Sequence, residues 1–428
     1  MSRKDIFVVG LDEANLRTLQ RVPHAEDYRF HPLLGMPELQ EGEIPIAELL
    51  SKAQAELDSF GGDIGAIVGY WDFPVTTMVP LLCARYDLPS ANLTGVIKCE
   101  HKYWSRLEQQ KVIAEHPRFA LVDLDGAARP PAELSYPIWL KPVKSFSSEL
   151  AFQVTNDDEF GDAVRQIREG IARVGRPFQY VLDQAEELDL PREIAEAGGM
   201  ACLAEEAMSG VQAATEGYVF DGEVIVYGVL DSIDYPDRSS FLRHQYPSQL
   251  PEPMVRRMAD VSKRVISQIG LDNSTFSIEF FCDRDSGEVC VLEINARHSQ
   301  SHAELFEHVD GVPNHHCMVE LGLGRRPRMP HRQGACHIAA KWIHRRFTDA
   351  VVRRVPTRQE IERLQQEIPG VTVDVVPSAG TRLSDLPAQD SYSYELADVF
   401  VGADSEEALK DKYERAVAAL RFDFDEEA

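Results

Sequence analysis

Residues 275–297 read TFSIEFFCDRDSGEVCVLEINAR, and this stretch decides the fold. Two runs rich in β-forming residues flank the tripeptide DSG, which is typical of a three-residue hairpin loop with glycine in the left-handed conformation. The resulting register pairs Arg284 with Glu288 and, counted back along both strands, places Glu279 opposite Glu293. Like charges that face each other across a strand pair repel. The sequence therefore predicts an antiparallel hairpin whose two carboxylates need a neutralising partner.

A divalent cation is one such partner. Side chains alternate along a strand, so Glu293 and Asn295 point to one side and Cys290 points to the other. Glu279, Glu293 and Asn295 then form a cluster of oxygen ligands, and Mg²⁺ is usually held by one or two carboxylates together with phosphates and water. The alternative is that this face is exposed to solvent and the two glutamates simply splay apart.

Composition excludes several classes of protein. The chain has 428 residues, of which 44% are hydrophobic and 27% charged, as in folded proteins of two or three lobes. A net charge of −26 repels nucleic acid and anionic membranes. Neither a signal peptide nor an apolar run of about 18 residues is evident. We expect a cytoplasmic protein with no nucleic-acid or membrane partner, and its seven scattered cysteines to be reduced thiols.

The pattern along the chain predicts an α/β protein of three lobes. Residues 1–118 alternate short apolar runs with helical stretches, which is typical of a parallel α/β lobe followed by a connecting helix. Residues 119–204 are expected to form a compact α+β unit, and residues 205–428 are expected to form a further lobe that contains hairpins. Asp221-Gly222 between alternating runs predicts a tight hairpin in the last lobe.

Two further stretches carry phosphate-binding chemistry. Lys141 ends a strand-like run in IWLKPVKSFSSE (138–149) and precedes a Ser-rich turn. A lysine with hydroxyls and backbone N–H groups can cradle phosphate, although a lysine at a strand end is also common in a solvated turn. Arg297, two residues beyond Asn295, could neutralise phosphate oxygens or be a surface arginine.

The order of these residues resembles the ATP-grasp superfamily, whose members include biotin carboxylase, glycinamide ribonucleotide synthetase and many carboxylate-amine ligases. The likeness extends over about residues 65 to 330. It depends on Lys102, Lys141, Glu205-Glu206, Glu279 and the segment Glu293-x-Asn295-x-Arg297. The resemblance implies an ATP-grasp fold in which residues 119–204 are an α+β lid and residues 205–428 are a core and C-terminal lobe with an antiparallel sheet. The nucleotide site would lie between the lid and the core.

The resemblance also implies roles for individual residues. Glu279, Glu293 and Asn295 would hold Mg²⁺, or Mn²⁺ as the alternative, at the phosphates of ATP. Lys102 and Lys141 would hold those phosphates.

Other implied contacts surround this centre. Ser147 and Ser148 stand in the phosphate loop, where relatives favour glycines. Glu205 and the backbone from Glu206 to Met208 would meet the adenine, and Gln212 stands where many relatives carry a glutamate that meets the ribose. Arg297 and Lys141 would be the catalytic residues, with Arg297 steadying the transferred phosphoryl group.

The implied reaction is ATP-dependent ligation. A small carboxylate would be activated as an acyl phosphate, ADP released, and an amine would attack to form an amide or peptide-like bond. The alternatives are a bicarbonate-activating enzyme of the biotin carboxylase type and a non-catalytic ATP-binding regulatory protein. Relatives are often dimers, so we also expect a homodimer.

Substrate contacts are expected from loops. The segment after the metal strand, with His298, Ser301 and His302, would touch the acceptor substrate, although the two histidines could also bind a metal. Arg243 is a candidate for a phosphate or carboxylate contact. The turn 71–73 would either line the acceptor pocket or pack internally, and 315–316 is expected to be structural.

Overall fold

The structure is a computed structural model that describes residues 3–126, 128–145, 149–184, 190–236, 238, 240–386 and 393–425. The predicted phosphate-loop residues Ser147 and Ser148 lie outside the described residues.

The described β-strands cover Lys4–Val9 (β1), Tyr28–Leu33 (β2), Ile64–Val68 (β3), Phe119–Val122 (β4), Ile138–Pro142 (β5), Phe152–Val154 (β6), Cys202–Glu206 (β7), Val211–Phe220 (β8), Glu223–Asp234 (β9), Phe241–Tyr246 (β10), Ser274–Cys282 (β11), Val289–Asn295 (β12), Ile338–Arg346 (β13), Val351–Arg354 (β14), Val371–Val375 (β15), Tyr394–Ala403 (β16) and Asp423–Asp425 (β17).

The described α-helices cover Glu13–Leu19 (α1), Met36–Gln40 (α2), Ile46–Ser59 (α3), Val75–Arg85 (α4), Leu93–Glu100 (α5), Lys102–Gln109 (α6), Asp157–Gly170 (α7), Ala172–Gln184 (α8), Arg192–Ala197 (α9), Glu252–Ile269 (α10), Ala303–Asp310 (α11), His315–Gly322 (α12), Arg358–Glu367 (α13) and Glu406–Ala419 (α14). Within the described ranges, no helix is both long enough and apolar enough to span a membrane.

The N-terminal lobe is a parallel sheet in the order β2-β1-β3. Parallel strands need long crossovers, and α3 supplies the one between β2 and β3. Its apolar residues Ile46, Leu49, Ala53 and Leu57 recur at helical spacing, so one face of α3 is buried in the core of this lobe. The carboxyl ends of β1 and β3 therefore share one edge of the sheet, which is where ligands of open α/β sheets usually bind.

The lid region contains an antiparallel sheet in the order β4-β7-β5-β6. Helix α7 covers this sheet through Phe160, Val164 and Ile167. Helix α8 does not share that core, because its buried residues pack with the N-terminal lobe, where Phe178 meets Phe73 edge-on at 5.6 Å between ring centroids. The predicted boundaries at 118 and 204 stay predictions.

The remaining lobe is built on a sheet in the order β12-β11-β8-β9-β10-β13-β16-β15, antiparallel throughout. One of its faces packs against α10 at the β12 end and against α13 and α14 at the β15 end. The predicted hairpin at Asp221-Gly222 is confirmed, since Phe220 pairs with Glu223 and both turn residues have positive φ. The predicted α/β class with a parallel lobe, an α+β lid and an antiparallel core is confirmed.

The hairpin of β11 and β12 pairs the two glutamates as predicted, but its loop differs in length from the predicted loop. Glu279 is paired with Glu293, yet Asp283 N donates to Glu288 O, so the pairing of Arg284 with Glu288 was wrong and the loop has one residue more. A β-bulge after Glu279 restores the register. Because a bulge inserts an extra residue into one strand, it also reverses the alternation beyond it.

That reversal corrects the predicted orientation of Cys290. Val289 and Val291 belong to the core packed against α10, whereas Cys290 pairs with Phe281 outside that core. Cys290 therefore faces the same side as Glu293, and the charges of Arg106 and Glu205 act on its thiol, whose pKa burial raises to about 11.

Candidate active site

Glu279 and Glu293 face each other on β11 and β12, and Asn295 Nδ2 donates to Glu279 Oε1 at 3.2 Å. Burial, and then the charge of Glu293, raise the pKa of Glu279 to about 7. Burial acts in the same direction on Glu293, but the charges of Lys102 and Lys141 outweigh it and hold its pKa below the ordinary value. The pair therefore has one firmly ionised carboxylate and one that takes up a proton near neutral pH.

Lys102 starts α6 and reaches across the cleft to the hairpin. Its Nζ lies 2.8 Å from Glu293 Oε1 and donates to Ser145 O at 2.9 Å. Its backbone N–H donates to Val143 O at 2.8 Å, which ties the start of α6 to the chain just after β5. Burial lowers the pKa of Lys102, and Glu293 opposes that shift. The side chain is thus a buried cation that shares its contacts between the lid and the core.

Lys141 is held by a buried ion pair at the end of β5. Its Nζ lies 2.7 Å from Glu205 Oε2, and Arg106 Nε lies 2.6 Å from Glu205 Oε1. Burial would raise the pKa of Glu205, but the two cations outweigh it and lower the pKa to about 2. Arg106 also donates to Leu292 O at 2.7 Å. This network joins α6, the lid and β12, and the sequence reasoning missed Arg106 at its centre.

Two further ion pairs close the other end of the cleft. Lys144, which the sequence reasoning also missed, pairs with Glu100 at the end of α5, and both side chains are buried. Arg297 forms a bidentate pair with Asp72, with Nε to Oδ1 at 3.1 Å and Nη2 to Oδ2 at 2.7 Å. Burial opposes both charges of this pair, but each partner outweighs it, so the pKa of Asp72 is lowered and that of Arg297 is raised.

The cleft thus contains equal numbers of positive and negative side chains. Each cation has a carboxylate within ion-pair distance, whereas Glu279 faces another carboxylate, that of Glu293. The five cations are Lys102, Arg106, Lys141, Lys144 and Arg297, and the five carboxylates are Asp72, Glu100, Glu205, Glu279 and Glu293. Because these charges are largely removed from water, a ligand that enters must supply charges that replace the internal pairs.

The donor set fits an oxygen-preferring cation better than a soft one. Glu279, Glu293 and Asn295 offer carboxylate and amide oxygens, which suit Mg²⁺ or Mn²⁺. In the described part of the chain, no group of three His, Cys, Asp or Glu side chains is arranged to hold a metal. A cation at this hairpin would therefore need ligands from a bound substrate, such as phosphate oxygens.

The segment after β7 connects the lid with the core. Glu206 Oε1 accepts from Ser135 N at 3.0 Å, so its side chain is used within the lid. Met208 follows outside regular secondary structure and is partly exposed. Gly210 has φ +122, and a Cβ there would lie 2.5 Å from Cys282 O, so glycine permits the chain to cross the end of β11. Gln212 lies beyond it on β8, on the strand face shared with Phe281.

Glu216 is the main site residue that sequence reasoning missed. It is fully buried on β8, and its carboxylate accepts from Ser299 N at 3.1 Å, Asn314 Nδ2 at 2.8 Å and Tyr227 OH at 3.0 Å. His302 Nδ1 lies 2.6 Å from the same carboxylate. These bonds fix the loop that follows Arg297. A lone glutamate within an otherwise buried strand is the signal that could have revealed it.

His298 lies inside the protein rather than at a substrate surface. It is fully buried, with Nδ1 3.2 Å from Thr275 Oγ1 and Nε2 2.8 Å from His315 Nδ1. His315 continues the chain of contacts to Asn15 Oδ1 at 2.9 Å. His298 therefore links the core to the N-terminal lobe. Because it is buried there, we do not propose that it contacts substrate. Ser301 Oγ lies 3.4 Å from Lys341 Nζ, and the expected contact of Ser301 with substrate stays a prediction.

Arg243 lies on the other face of the large sheet. Its Nη2 donates to Glu406 Oε1 at 3.0 Å on α14, and its guanidinium lies 4.9 Å from the centre of the Trp342 ring, within the core under α13 and α14. Its neighbour His244 faces the cleft side, 5.1 Å from the His302 ring. Because side chains alternate along β10, Arg243 points away from the proposed site, and its expected contact with phosphate or carboxylate is not carried forward.

Comparison with known proteins agrees with this geometry. Residues 134–303 match the sequence model of the ATP-grasp domain. Similar solved structures include an L-amino acid ligase from Bacillus licheniformis, which is 15% identical with a TM-score of 0.70 and 100% of both chains covered. A phosphoribosylglycinamide synthetase from Anaerococcus prevotii is 12% identical with a TM-score of 0.65, covering 99% of this chain and 100% of that chain.

A third similar structure is the biotin carboxylase domain of 2-oxoglutarate carboxylase from Hydrogenobacter thermophilus, in complex with MgADP and bicarbonate. It is 16% identical with a TM-score of 0.66, covering 99% of this chain and 91% of that chain. No match was found among curated protein sequences. The predicted resemblance to the ATP-grasp superfamily is confirmed, in sequence over residues 134–303 and in fold over the whole length.

Proposed function

We propose that this protein is an ATP-dependent ligase that activates a small carboxylate as an acyl phosphate and transfers the acyl group to an amine, with release of ADP. The observation that carries the proposal is the facing pair Glu279 and Glu293 beside Asn295, with Lys102 in ion-pair contact with Glu293 and the charge of Lys141 acting on the same carboxylate. The ATP-grasp domain match supports a ligase of this kind, as do similar structures named as ligases or synthetases.

Glu279, Glu293 and Asn295 would hold Mg²⁺, with Mn²⁺ as the alternative. Bound there, the ion would neutralise charge on the phosphates and polarise the group that is transferred. The fit depends on the chemistry of the donors, since the two carboxylates repel each other and a shared divalent cation would remove that repulsion. The similar biotin carboxylase domain was crystallised as a complex with MgADP, which supports the same choice of nucleotide and ion.

Phosphate binding would proceed by exchange of ion-pair partners. Lys102 forms an ion pair with Glu293 in this structure, and Lys141 forms one with Glu205. If ATP bound with its cation, Glu293 would have the cation as a partner and Lys102 would have phosphate oxygens. Binding would therefore replace one set of charge pairs by another without leaving a buried charge alone.

The nucleoside would lie by the connection after β7. The backbone from Glu206 to Met208 connects the end of β7 with β8, and its N–H and C=O groups would pair with the adenine edge. The carboxylate of Glu205 is held by Arg106 and Lys141, so in place of the adenine contact implied by the resemblance we propose that it positions Lys141. Gln212 would stand near the ribose.

The chemistry itself needs charge stabilisation rather than a side-chain nucleophile. The substrate carboxylate attacks the γ-phosphorus in line with the leaving ADP oxygen, and negative charge spreads over the transferring group. Arg297, which now pairs with Asp72, would turn a guanidinium N–H toward that group and then toward the acyl phosphate. The amine then attacks the acyl carbon and phosphate leaves. The lid must exclude water, because an acyl phosphate hydrolyses readily.

Release of ADP and phosphate tests this proposal. The protein would be incubated with ATP and Mg²⁺ over pooled small carboxylates, including bicarbonate, with and without pooled amines. We expect release that requires both a carboxylate and an amine, and that falls at least about a hundredfold in Glu293→Ala and Arg297→Ala. Glu288→Ala, an exposed glutamate on the same hairpin, is the matched control.

Two results would contradict the proposal. Release that persists unchanged in both variants would remove the mechanism, and release that requires bicarbonate alone would favour the bicarbonate-activating alternative. The predicted homodimer and cytoplasmic location stay predictions.

A further inference from the structure

Asp72 lies in the turn after β3, at the end of the charged cleft, and none of the steps above uses it except as the partner of Arg297. The turn is rigidly seated. Trp71 Nε1 donates to Gly10 O at 2.8 Å, and a Cβ on Gly10 would lie 2.9 Å from Trp71 Cδ1. On the other side, the Phe73 ring packs edge-on against Phe178 of α8. The carboxylate of Asp72 is therefore presented from a fixed backbone.

Asp72 is anionic and reachable. Burial opposes its charge, but Arg297 outweighs it and lowers the pKa of the carboxyl, with smaller contributions from Lys144 and Lys102. Its side chain retains 23% of its accessible surface, so a ligand in the cleft can touch it. Both carboxylate oxygens now accept from Arg297, at 3.1 and 2.7 Å.

In the proposed reaction, Asp72 loses its ion-pair partner Arg297. Arg297 stands two residues beyond Asn295, just past the end of β12, and its charge acts on Glu279, so it lies beside the metal and phosphate site proposed above. Once its N–H groups turn to the phosphoryl group, Asp72 becomes a partly buried carboxylate with an incomplete set of donors. Such a charge is unfavourable unless another cation replaces the one that left.

We propose that Asp72 binds the ammonium group of the acceptor substrate, which is therefore a primary amine that arrives protonated. This inference rests on the proposed function and adds the class of the acceptor and the residue that selects it. It also implies an order of events: the acceptor binds well only after the nucleotide and carboxylate have drawn Arg297 away.

The reaction balances with one proton released. The bound ammonium gives one proton to solvent, and the free amine nitrogen forms the new C–N bond. The C–O bond to phosphate breaks, and the departing phosphate keeps one of the two remaining N–H protons as hydrogen phosphate. The amide nitrogen retains the last proton. No oxidant, reductant or further reactant is needed.

A neutral nucleophile distinguishes two possible roles of Asp72. Asp72 could bind the ammonium group of the acceptor, or it could only orient Arg297. Hydroxylamine is neutral at neutral pH and captures acyl phosphates as hydroxamates, whereas methylamine and amino acids are ammonium ions. If Asp72 only orients Arg297, its removal slows capture by both kinds of nucleophile equally. If it binds the ammonium group, the loss falls mainly on the charged amines and on their KM.

The experiment compares wild type with Asp72→Asn, offering hydroxylamine or an amine pool of methylamine, glycinamide and the proteinogenic amino acids. Hydroxamate and amide products are measured by mass spectrometry, with ADP release in parallel. We expect kcat/KM for the amines to fall about tenfold or more relative to hydroxylamine in Asp72→Asn, the loss expected for one charge-assisted hydrogen bond. Asp72→Glu, which keeps the charge, should recover part of the preference.

Asp58→Asn is the matched control, since Asp58 is an exposed carboxylate of the same lobe that pairs with Arg85. Thermal melting establishes that each variant is folded. If Asp72→Asn does not fold, Asp72→Glu gives the readout, because a displaced carboxylate must shift KM for methylamine more than for hydroxylamine.

Equal losses for both nucleophiles overturn the inference, as does a wild type that forms hydroxamate but no amide with any amine. Absence of ADP release in wild type under every condition would contradict the proposed function itself, and not only the inference about Asp72.

Discussion

Replacing Glu279 by glutamine should stabilise the protein in the absence of divalent cations. The pKa of Glu279 stands at about 7, against an ordinary value of 4.5, because of burial and of Glu293 opposite. Since folding raises this pKa, the carboxylate destabilises the fold above about pH 7, and the effect disappears as the pH falls toward 4.5. The difference in pKa corresponds to about 3 kcal/mol. Glutamine keeps an oxygen that can accept from Asn295 and removes the charge.

The expected shift in melting temperature follows from the size of the protein. Unfolding entropy is about 2 cal/mol/K per residue, so over 428 residues a gain of about 3 kcal/mol raises Tm by about 3 °C. Melting curves in chelator at about pH 8 should show this gain, and curves at about pH 5 should show little of it. With Mg²⁺ and ATP present, the order should reverse, because the wild type gains a ligand that the variant binds poorly.

Glu288→Gln, on the exposed turn of the same hairpin, controls for the general effect of removing a negative charge from an acidic protein. The reasoning is refuted if Glu279→Gln melts below wild type at about pH 8 in chelator, or if its advantage is the same at both pH values.

Three further predictions concern the surrounding residues. Arg106→Met leaves the buried carboxylate of Glu205 with one cation, so we expect a loss of about 3 to 5 kcal/mol in stability and a higher KM for ATP, measured by melting and by ADP release. Glu216→Gln keeps the shape but loses charged acceptors for several donors, so Tm should fall by an amount equivalent to about 1 to 3 kcal/mol, with or without Mg²⁺. Arg243→Ala breaks the contact with Glu406 and should lower Tm while leaving KM for ATP unchanged. A large change in KM for ATP would instead indicate that Arg243 takes part in the active site.

Local signals predicted the parts of the fold that depend on neighbouring residues. The alternation of side chains and the turn glycines predicted two hairpins of the large sheet, β8-β9 and β11-β12, including the pairing of Glu279 with Glu293. The loop of that hairpin is one residue longer than predicted, and a bulge compensates for it. Nothing in the residue types near Leu292 distinguishes a bulge from a regular strand, so the orientation of Cys290 could not be obtained from the pattern.

Contacts between distant segments were beyond the sequence. Arg297 meets Asp72 across 225 positions, and Arg106 meets the carbonyl of Leu292 across 186. Such pairs depend on how the lobes are packed, which no local pattern encodes. The position of Arg243 failed for a related reason: a loop was expected where the chain forms β10, and a strand gives alternate residues opposite faces.

The central claim is that a divalent cation and the phosphates of ATP occupy the space between Glu279 and Glu293. The most direct measurement is a crystal structure of the protein with Mn²⁺ and a non-hydrolysable ATP analogue, with the ion located by its anomalous scattering. We expect the ion to lie about 2.0 to 2.5 Å from oxygens of both glutamates and of the phosphates, with Lys102 moved from Glu293 to phosphate. Nucleotide bound elsewhere, or an ion that contacts neither glutamate, would contradict the account.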